Sequence, residues 1–299
     1  EGRDSLAKQS VFAALYDTSI LFDQMPTYAN AQALKTAIDV KPGMNVLDGN
    51  GKLAVLKEGS LIHPVTDGQL GEPAAWTASA PLQMLQVTVE YKIAPGLLWS
   101  DGSPVTAADF VLSYEVANDL RNPQDAWLLD RTAGIEAFDD TTVTWKGIPG
   151  FVPVDLSELV FLPLPATQLA EMTPSEIAST ATVNDTPIAW GAYRIVDRTP
   201  GTAIELERNP FYSPKPAYDQ VVFYVEPDLQ QAISKLASGE CDVLDPSYHL
   251  EGQGRDVLTG LVQGGSLVAE NFDLVQQLVF GIQPAAYDSG YSPWTAVRQ

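Results

Sequence analysis

Side chains able to do covalent or metal chemistry are few in this sequence and poorly spaced for it. His63 and His249 are the only 2 histidines. They stand far apart and neither sits in a ligand-spaced motif, so a histidine metal site or a catalytic triad is not expected. Cys241 is the single cysteine, which excludes an intramolecular disulfide framework and a thiolate metal cage. It follows Gly239-Glu240 with no cationic neighbour in sequence to lower its pKa, and reads as a buried structural thiol. Asp139-Asp140 suggests the paired acid and base carboxylates of an acid glycosidase. Adjacent residues at a strand entry point to opposite faces, however, so a solvated turn is the expectation. Asp48-Gly49-Asn50-Gly51 suggests calcium, yet Lys52 and Leu53 stand where an EF-hand needs another oxygen ligand and then a glycine. Gly252-Gln253-Gly254 does not complete a dinucleotide fingerprint, and no Walker A loop or nucleophile elbow occurs. No enzyme activity, metal or cofactor is expected. What remains is aromatic: 6 Trp, 11 Tyr and 10 Phe. Trp190-Gly191-Ala192-Tyr193 and Trp99-Ser100-Asp101-Gly102 set large rings beside flexible turns, where they either line a ligand cleft or fill the core.

The elements that must carry these residues are legible from periodicity. Ser5 to Asp23 is an apolar run interrupted by polar Tyr16-Asp17-Thr18. The Asp48–Gly51 tetrad predicts a hairpin between two apolar stretches. Gln86 to Ile93 alternates Val87, Val89, Tyr91 and Ile93 with polar residues, the pattern of a half-buried strand. Thr106 begins a helix with Asp109 as its capping-box partner. Ala107, Phe110, Val111 and Tyr114 then form one apolar face. A strand is predicted over Thr141–Trp145, and an irregular connection from Pro149 to Pro165. Gly191–Asp197 and Thr202–Arg208 read as two strands joined by a Pro-Gly turn. Val221–Val225 predicts a strand buried on both faces. A helix capped by Asp228 and closed by Gly239 follows, and then a short strand over Cys241–Leu244. That βαβ unit makes the class α/β.

With 38 acidic against 17 basic residues the formal charge is −21 over 299 residues. Such a balance cannot neutralise phosphates, so no nucleic-acid partner is expected, nor an anionic membrane surface. The longest apolar stretch, Leu159–Ala166, is far short of the roughly 20 residues that a membrane span needs. The opening Glu1-Gly2-Arg3-Asp4 does not read as a signal peptide. Hydrophobic residues at 45% suffice for one large or two ordinary domains.

One passage is specific. Tyr91-Lys92-Ile93-Ala94-Pro95-Gly96-Leu97-Leu98-Trp99-Ser100-Asp101-Gly102-Ser103-Pro104-Val105-Thr106-Ala107-Ala108-Asp109-Phe110 resembles the signature of family 5 extracellular solute-binding proteins, the peptide and nickel receptors of ABC importers. Arg208-Asn209-Pro210-Phe211-Tyr212 resembles that family's R-N-P-x-Y. Ala232–Asp242 resembles its A-L-x-x-G-E-x-D, and Ala296-Val297-Arg298-Gln299 resembles the V-R-Q-A that opens a second lobe. Ala189-Trp190-Gly191-Ala192-Tyr193 departs from the usual G-T-G-P-Y near the cleft, so ligand preference does not carry over.

The resemblance implies a type II periplasmic-binding-protein-like lobe, a mixed sheet with a smaller inserted α+β domain. Residues 1–44 and 187–281 are expected in the mixed-sheet domain, 45–186 in the insert, and 282–299 in the start of a crossover to a second lobe that this chain lacks. The implied function is capture of peptides or similar small solutes for delivery to an ABC permease. The protein would be extracellular or periplasmic, touching the membrane only through a possible lipid anchor. Tyr16, Asp17, Thr18, Trp190 and Tyr193 are the expected ligand contacts. With half the cleft missing, this chain alone is expected to bind its solute weakly or not at all. The alternatives are a receptor for an oligosaccharide or metal chelate, and a stand-alone extracellular interaction module.

Overall fold

The computed structural model describes residues 6–30, 32–77, 81–121, 123, 125–157, 159–244 and 252–269. His249 and the expected crossover over 282–299 lie outside them. Two compact units divide at Glu226–Pro227.

The first unit opens with α1 (Leu6–Leu15), a single 3-10 turn over Thr18–Ile20 capped by Asp17, and β1 (Ala33–Asp39). The predicted hairpin follows as β2 (Asn45–Leu47) and β3 (Leu53–Val55). Asp48 organises its turn, with Oδ1 accepting from the backbone N–H of Asn50 at 2.8 Å and Lys52 at 2.9 Å. Four two-residue strands come next: β4 (Leu61–Ile62), β5 (Val65–Thr66), β6 (Gln69–Leu70) and β7 (Ala74–Ala75).

The long strand β8 (Gln83–Lys92) precedes α2 (Ala107–Leu120), α3 (Ala126–Leu129), β9 (Thr132–Asp139) and β10 (Thr142–Gly147). These strands form a sheet in the order β1-β8-β10-β9, all antiparallel. β1 precedes residue 44 and β8 follows it, yet they pair from Ala33–Val89 to Asp39–Gln83. The first expected segment and the inserted one therefore share a sheet. Val87, Val89 and Tyr91 of β8 are wholly buried, as are Phe110 of α2 and Trp145 of β10, because their alternate and i, i+3 positions all face one core. Asp139 sits exposed at the β9–β10 turn, its Oδ1 accepting from Thr141 N–H at 2.8 Å. Asp140 is exposed beside it, as a solvated turn requires.

Three short helices follow, α4 (Ala166–Leu169), α5 (Pro174–Ser179) and α6 (Ala181–Asn184). The unit closes with an antiparallel sheet of β11 (Tyr193–Thr199), β12 (Ala203–Arg208) and β13 (Gln220–Tyr224).

The second unit contains α7 (Leu229–Ser238) and α8 (Gly252–Gln263). Asp228 Oδ1 caps α7 by accepting from Gln230 and Gln231 N–H, and Gly239 closes it at φ 76° in the left-handed region.

Helices and sheets occur together, as the α/β expectation requires, with three corrections in detail. β13 is not buried on both faces: Val222 is 39% and Tyr224 55% exposed, because only Val221 and Phe223 turn toward the Leu15–Ala189–Leu206 cluster. Cys241–Leu244 is not a strand, and Val243 is 81% exposed. Without that strand the βαβ crossover does not form, and every strand pair among the described residues is antiparallel. Cys241 itself is half-buried rather than buried.

Candidate functional site

Asp17 is extended at φ −89° and ψ 93°, two residues past the end of α1. Its Oδ1 accepts from Ser19 N–H at 3.0 Å and from Ser19 Oγ at 2.5 Å. Its carbonyl accepts from Trp190 Nε1–H at 3.0 Å, and its Oδ2 from the Tyr212 hydroxyl at 2.7 Å. Tyr16 packs its ring 4.8 Å from Phe12 and 4.7 Å from Trp190, centroid to centroid. Thr18 is exposed at the head of the 3-10 turn.

The Trp190-Gly191 step requires its glycine. Gly191 N–H donates to Leu15 O at 2.7 Å, and a Cβ there would lie 2.5 Å from that same oxygen. Asn209, 2% exposed, fixes the other side. Its Nδ2 donates to Gly191 O at 2.9 Å, its backbone N–H donates to Ala192 O at 3.0 Å, and its Oδ1 accepts from Phe211 N–H at 3.0 Å. The Arg208–Tyr212 motif is thus a clamp on the altered 189–193 segment.

The 99–109 signature supports both. Trp99 meets Trp190 edge-on at 5.3 Å, and Ala189 N–H donates to Ser100 Oγ at 3.2 Å. Gly102 turns at φ 87° directly against Phe211, whose Cζ would be 2.8 Å from an added Cβ. Asp109, 1% exposed, is the hub of this support. Its Oδ2 accepts from Trp99 Nε1–H at 3.1 Å and from Thr106 N–H at 2.8 Å, and its Oδ1 accepts from Ala166 N–H at 2.7 Å. The predicted capping box is therefore formed and also anchors a tryptophan and a distant loop.

Electrostatics separate these groups. Burial pushes the Asp17 carboxyl up, but hydrogen bonds from the Ser19 side chain, Tyr212 and the Ser19 backbone outweigh it and leave the pKa lowered. The reciprocal bond from Asp17, then burial, pushes the Tyr212 hydroxyl up to about 12. Burial alone pushes Tyr16 up to about 12. For Asp109 burial dominates its three hydrogen bonds and raises the pKa.

Of the five expected contacts, Tyr16, Asp17 and Trp190 come together, with Thr18 exposed alongside. Tyr193 shares the Leu15–Ala189–Leu206 cluster with Tyr16, and its hydroxyl donates to Tyr218 O at 3.3 Å. Trp190 is 1% exposed, so its indole is packed within this unit and touches Asp17 only through the carbonyl bond. Tyr212, Asn209 and Asp109 were not among the expected site residues. Their motifs are visible in sequence, but the Tyr212–Asp17 bond joins residues 195 positions apart, which no local pattern reveals. The arrangement presents a carboxylate, an exposed hydroxyl and a turn of backbone. These groups suit reversible hydrogen bonding. Among the described residues no group of three or more His, Cys, Asp or Glu is placed to hold a metal ion.

The family model of bacterial extracellular solute-binding proteins, family 5 (middle), matches residues 86–256, more than half of the 299. The chain belongs to this family. A Brucella ovis relative named "Putative ABC transporter peptide-binding protein" is 30% identical over 158 residues, 52% of this chain and 30% of the relative. The oligopeptide-binding protein OppA of Lactococcus lactis subsp. lactis is 23% identical over 192 residues, 56% of this chain and 32% of OppA. The family 5 chain thus spans about a third of the length of these curated relatives. Among solved structures, the periplasmic EDTA-binding protein EppA matches with a TM-score of 0.52 at 23% identity, over 75% of this chain and 40% of that one. That likeness shows the fold.

Proposed function

We propose that this chain corresponds to the first lobe of the solute-binding component of an ABC importer, which captures peptides or similar small solutes between two lobes and presents them to a membrane permease. The observation that carries the reading is the family match over residues 86–256, which contains the 99–109 signature and the 208–212 clamp. The peptide assignment is supported by the relatives' names, a peptide-binding protein in Brucella ovis and oligopeptide-binding OppA in Lactococcus lactis. Capture by lobe closure is reversible binding and needs no covalent chemistry; no catalytic role belongs to this reading. An extracellular or periplasmic location, with a lipid anchor at the cell surface, is part of the proposal.

Tyr16, Asp17, Thr18 and Tyr193 are proposed to meet the solute, with Trp190 acting through Asp17. The division into 1–44 with 187–281, 45–186 and 282–299 is likewise proposed, with β1 crossing it to pair in the sheet of the second part.

Native mass spectrometry of the full-length protein purified from its host tests the function. Peptides released on denaturation are the expected result. A sugar or metal chelate in their place, or no solute together with no peptide-induced rise in melting temperature, overturns it.

A further inference from the structure

We infer that Tyr212 is a positioning residue for solute capture: its hydroxyl and the Trp190 indole hold Asp17 so that the Tyr16–Thr18 segment is presented in one orientation. The inference rests on the peptide-binding reading and deepens it. A carboxylate just beyond a helix end, in a segment without strand pairing, would ordinarily sample several rotamers. Here both of its oxygens and its carbonyl are occupied: Ser19 on Oδ1, Tyr212 on Oδ2 at 2.7 Å, and Trp190 on the carbonyl at 3.0 Å. Two of these donors arrive from positions 190 and 212, in separate segments that are themselves fixed.

Tyr212 is held in its own loop, its N–H donating to Asn209 O at 3.3 Å. Asn209 is buried against Gly191 and Ala192, and neighbouring Phe211 lies against Gly102 of the signature. The clamp therefore reaches the Asp17 carboxylate through Tyr212 and the altered 189–193 segment reaches its carbonyl through Trp190, while the signature packs against both through Trp99 and Gly102. The bond is charge-assisted, the stronger kind of hydrogen bond; it is the first cause of the raised Tyr212 pKa and, after the Ser19 side chain, the second of the donors that lower Asp17. The side chain of Tyr212 is only half-buried, so Tyr212→Phe removes the hydroxyl while keeping the ring's packing.

The test uses the full-length protein as wild type, Tyr212→Phe, Asp17→Asn and the double variant. Binding is measured with an unmodified tripeptide mixture, and amide hydrogen exchange is followed over Thr18–Leu21. Each single variant is expected to weaken tripeptide binding about tenfold, and the double variant to be no more than about threefold weaker than either single one. Exchange at residues 18–21 is expected to accelerate in Tyr212→Phe without solute present. NMR titration of ring-labelled tyrosines should show Tyr212 falling from about 12 toward its ordinary value in Asp17→Asn, a change that a purely structural role of the ring would not produce. Unchanged affinity in Tyr212→Phe, or additive losses in the double variant, overturns the inference while leaving peptide binding intact. If wild type binds no tripeptide, the peptide reading is what fails. Exchange then decides the positioning: unchanged protection at 18–21 in Tyr212→Phe overturns it, and lost protection supports it.

Discussion

Asp109 and Asp17 are both hydrogen-bonded carboxylates in the same unit, and their environments move them in opposite directions. Asp109 is buried in the signature, binds three internal donors and has its pKa raised by burial. Asp17 sits half-buried at a turn, where its donors outweigh burial and hold its pKa down. The contrast separates a carboxylate that builds the scaffold from one that the scaffold displays. A buried acid with every partner internal has nothing to offer a solute. A partly exposed one with three donors on its two oxygens keeps lone-pair capacity toward solvent.

The largest expected effect is on the scaffold side. Asp109→Ala strands the Trp99 indole N–H and the backbone N–H groups of Thr106 and Ala166, and should cost roughly 3–5 kcal/mol of stability. Asp109→Asn is no rescue, because a carboxamide supplies one acceptor oxygen where two are used. Urea unfolding measures both, and a loss under about 1 kcal/mol would remove Asp109 from the role of hub.

Next in size is Gly191→Ala. The new methyl meets Leu15 O at 2.5 Å and Tyr16 N at 2.8 Å, backbone atoms that cannot step aside, so a loss of about 1–3 kcal/mol is expected. The same displacement should weaken solute binding, which calorimetry on the full-length protein would register. Equal affinity would mean that the 15–18 segment can shift without consequence.

Linkage gives the comparison a pH signature. The Asp109 carboxyl has its folded pKa above the unfolded value, so its contribution is complete below the ordinary carboxylate pKa of about 4 and is lost as pH rises through the folded value. For Asp17 the folded value is lower, so its contribution is present above about 4 and is lost as pH falls through the folded pKa. Between about pH 3 and 6, subtracting the Asp109→Asn profile from wild type should leave a falling component. Subtracting Asp17→Asn should leave a rising one. Two components of the same sign would break the comparison. The smallest effect expected is Asp139→Asn, at an exposed turn whose carboxylate contacts only its own hairpin; no resolvable change in solute binding should follow.

How much was legible beforehand depended on range. The α2 cap, the Asp48 hairpin, the β11–β12 pair and the Gly239 helix stop are written in neighbouring residues, because each is closed locally, at most across one hairpin. The 99–109 passage carried the family for the same reason: a turn and a cap leave a compact imprint. Cys241–Leu244 read as a strand because its composition suits one, but a strand exists only if a neighbour pairs with it. The burial of β13 failed likewise, since an apolar run shows that a segment can be covered and not that anything covers it.

The candidate site divides along the same line. The sequence alone determined the residue types available, a polar break at Tyr16-Asp17-Thr18 and rings beside glycines at 99–102 and 190–193. Only tertiary structure decided that Trp190 lies buried against the Asp17 carbonyl, that Tyr212 reaches Asp17, and that Asp109 ties the signature to Ala166. Those contacts join residues distant in the chain, and their geometry is set by the packing of whole elements against one core, which no run of neighbouring residues encodes.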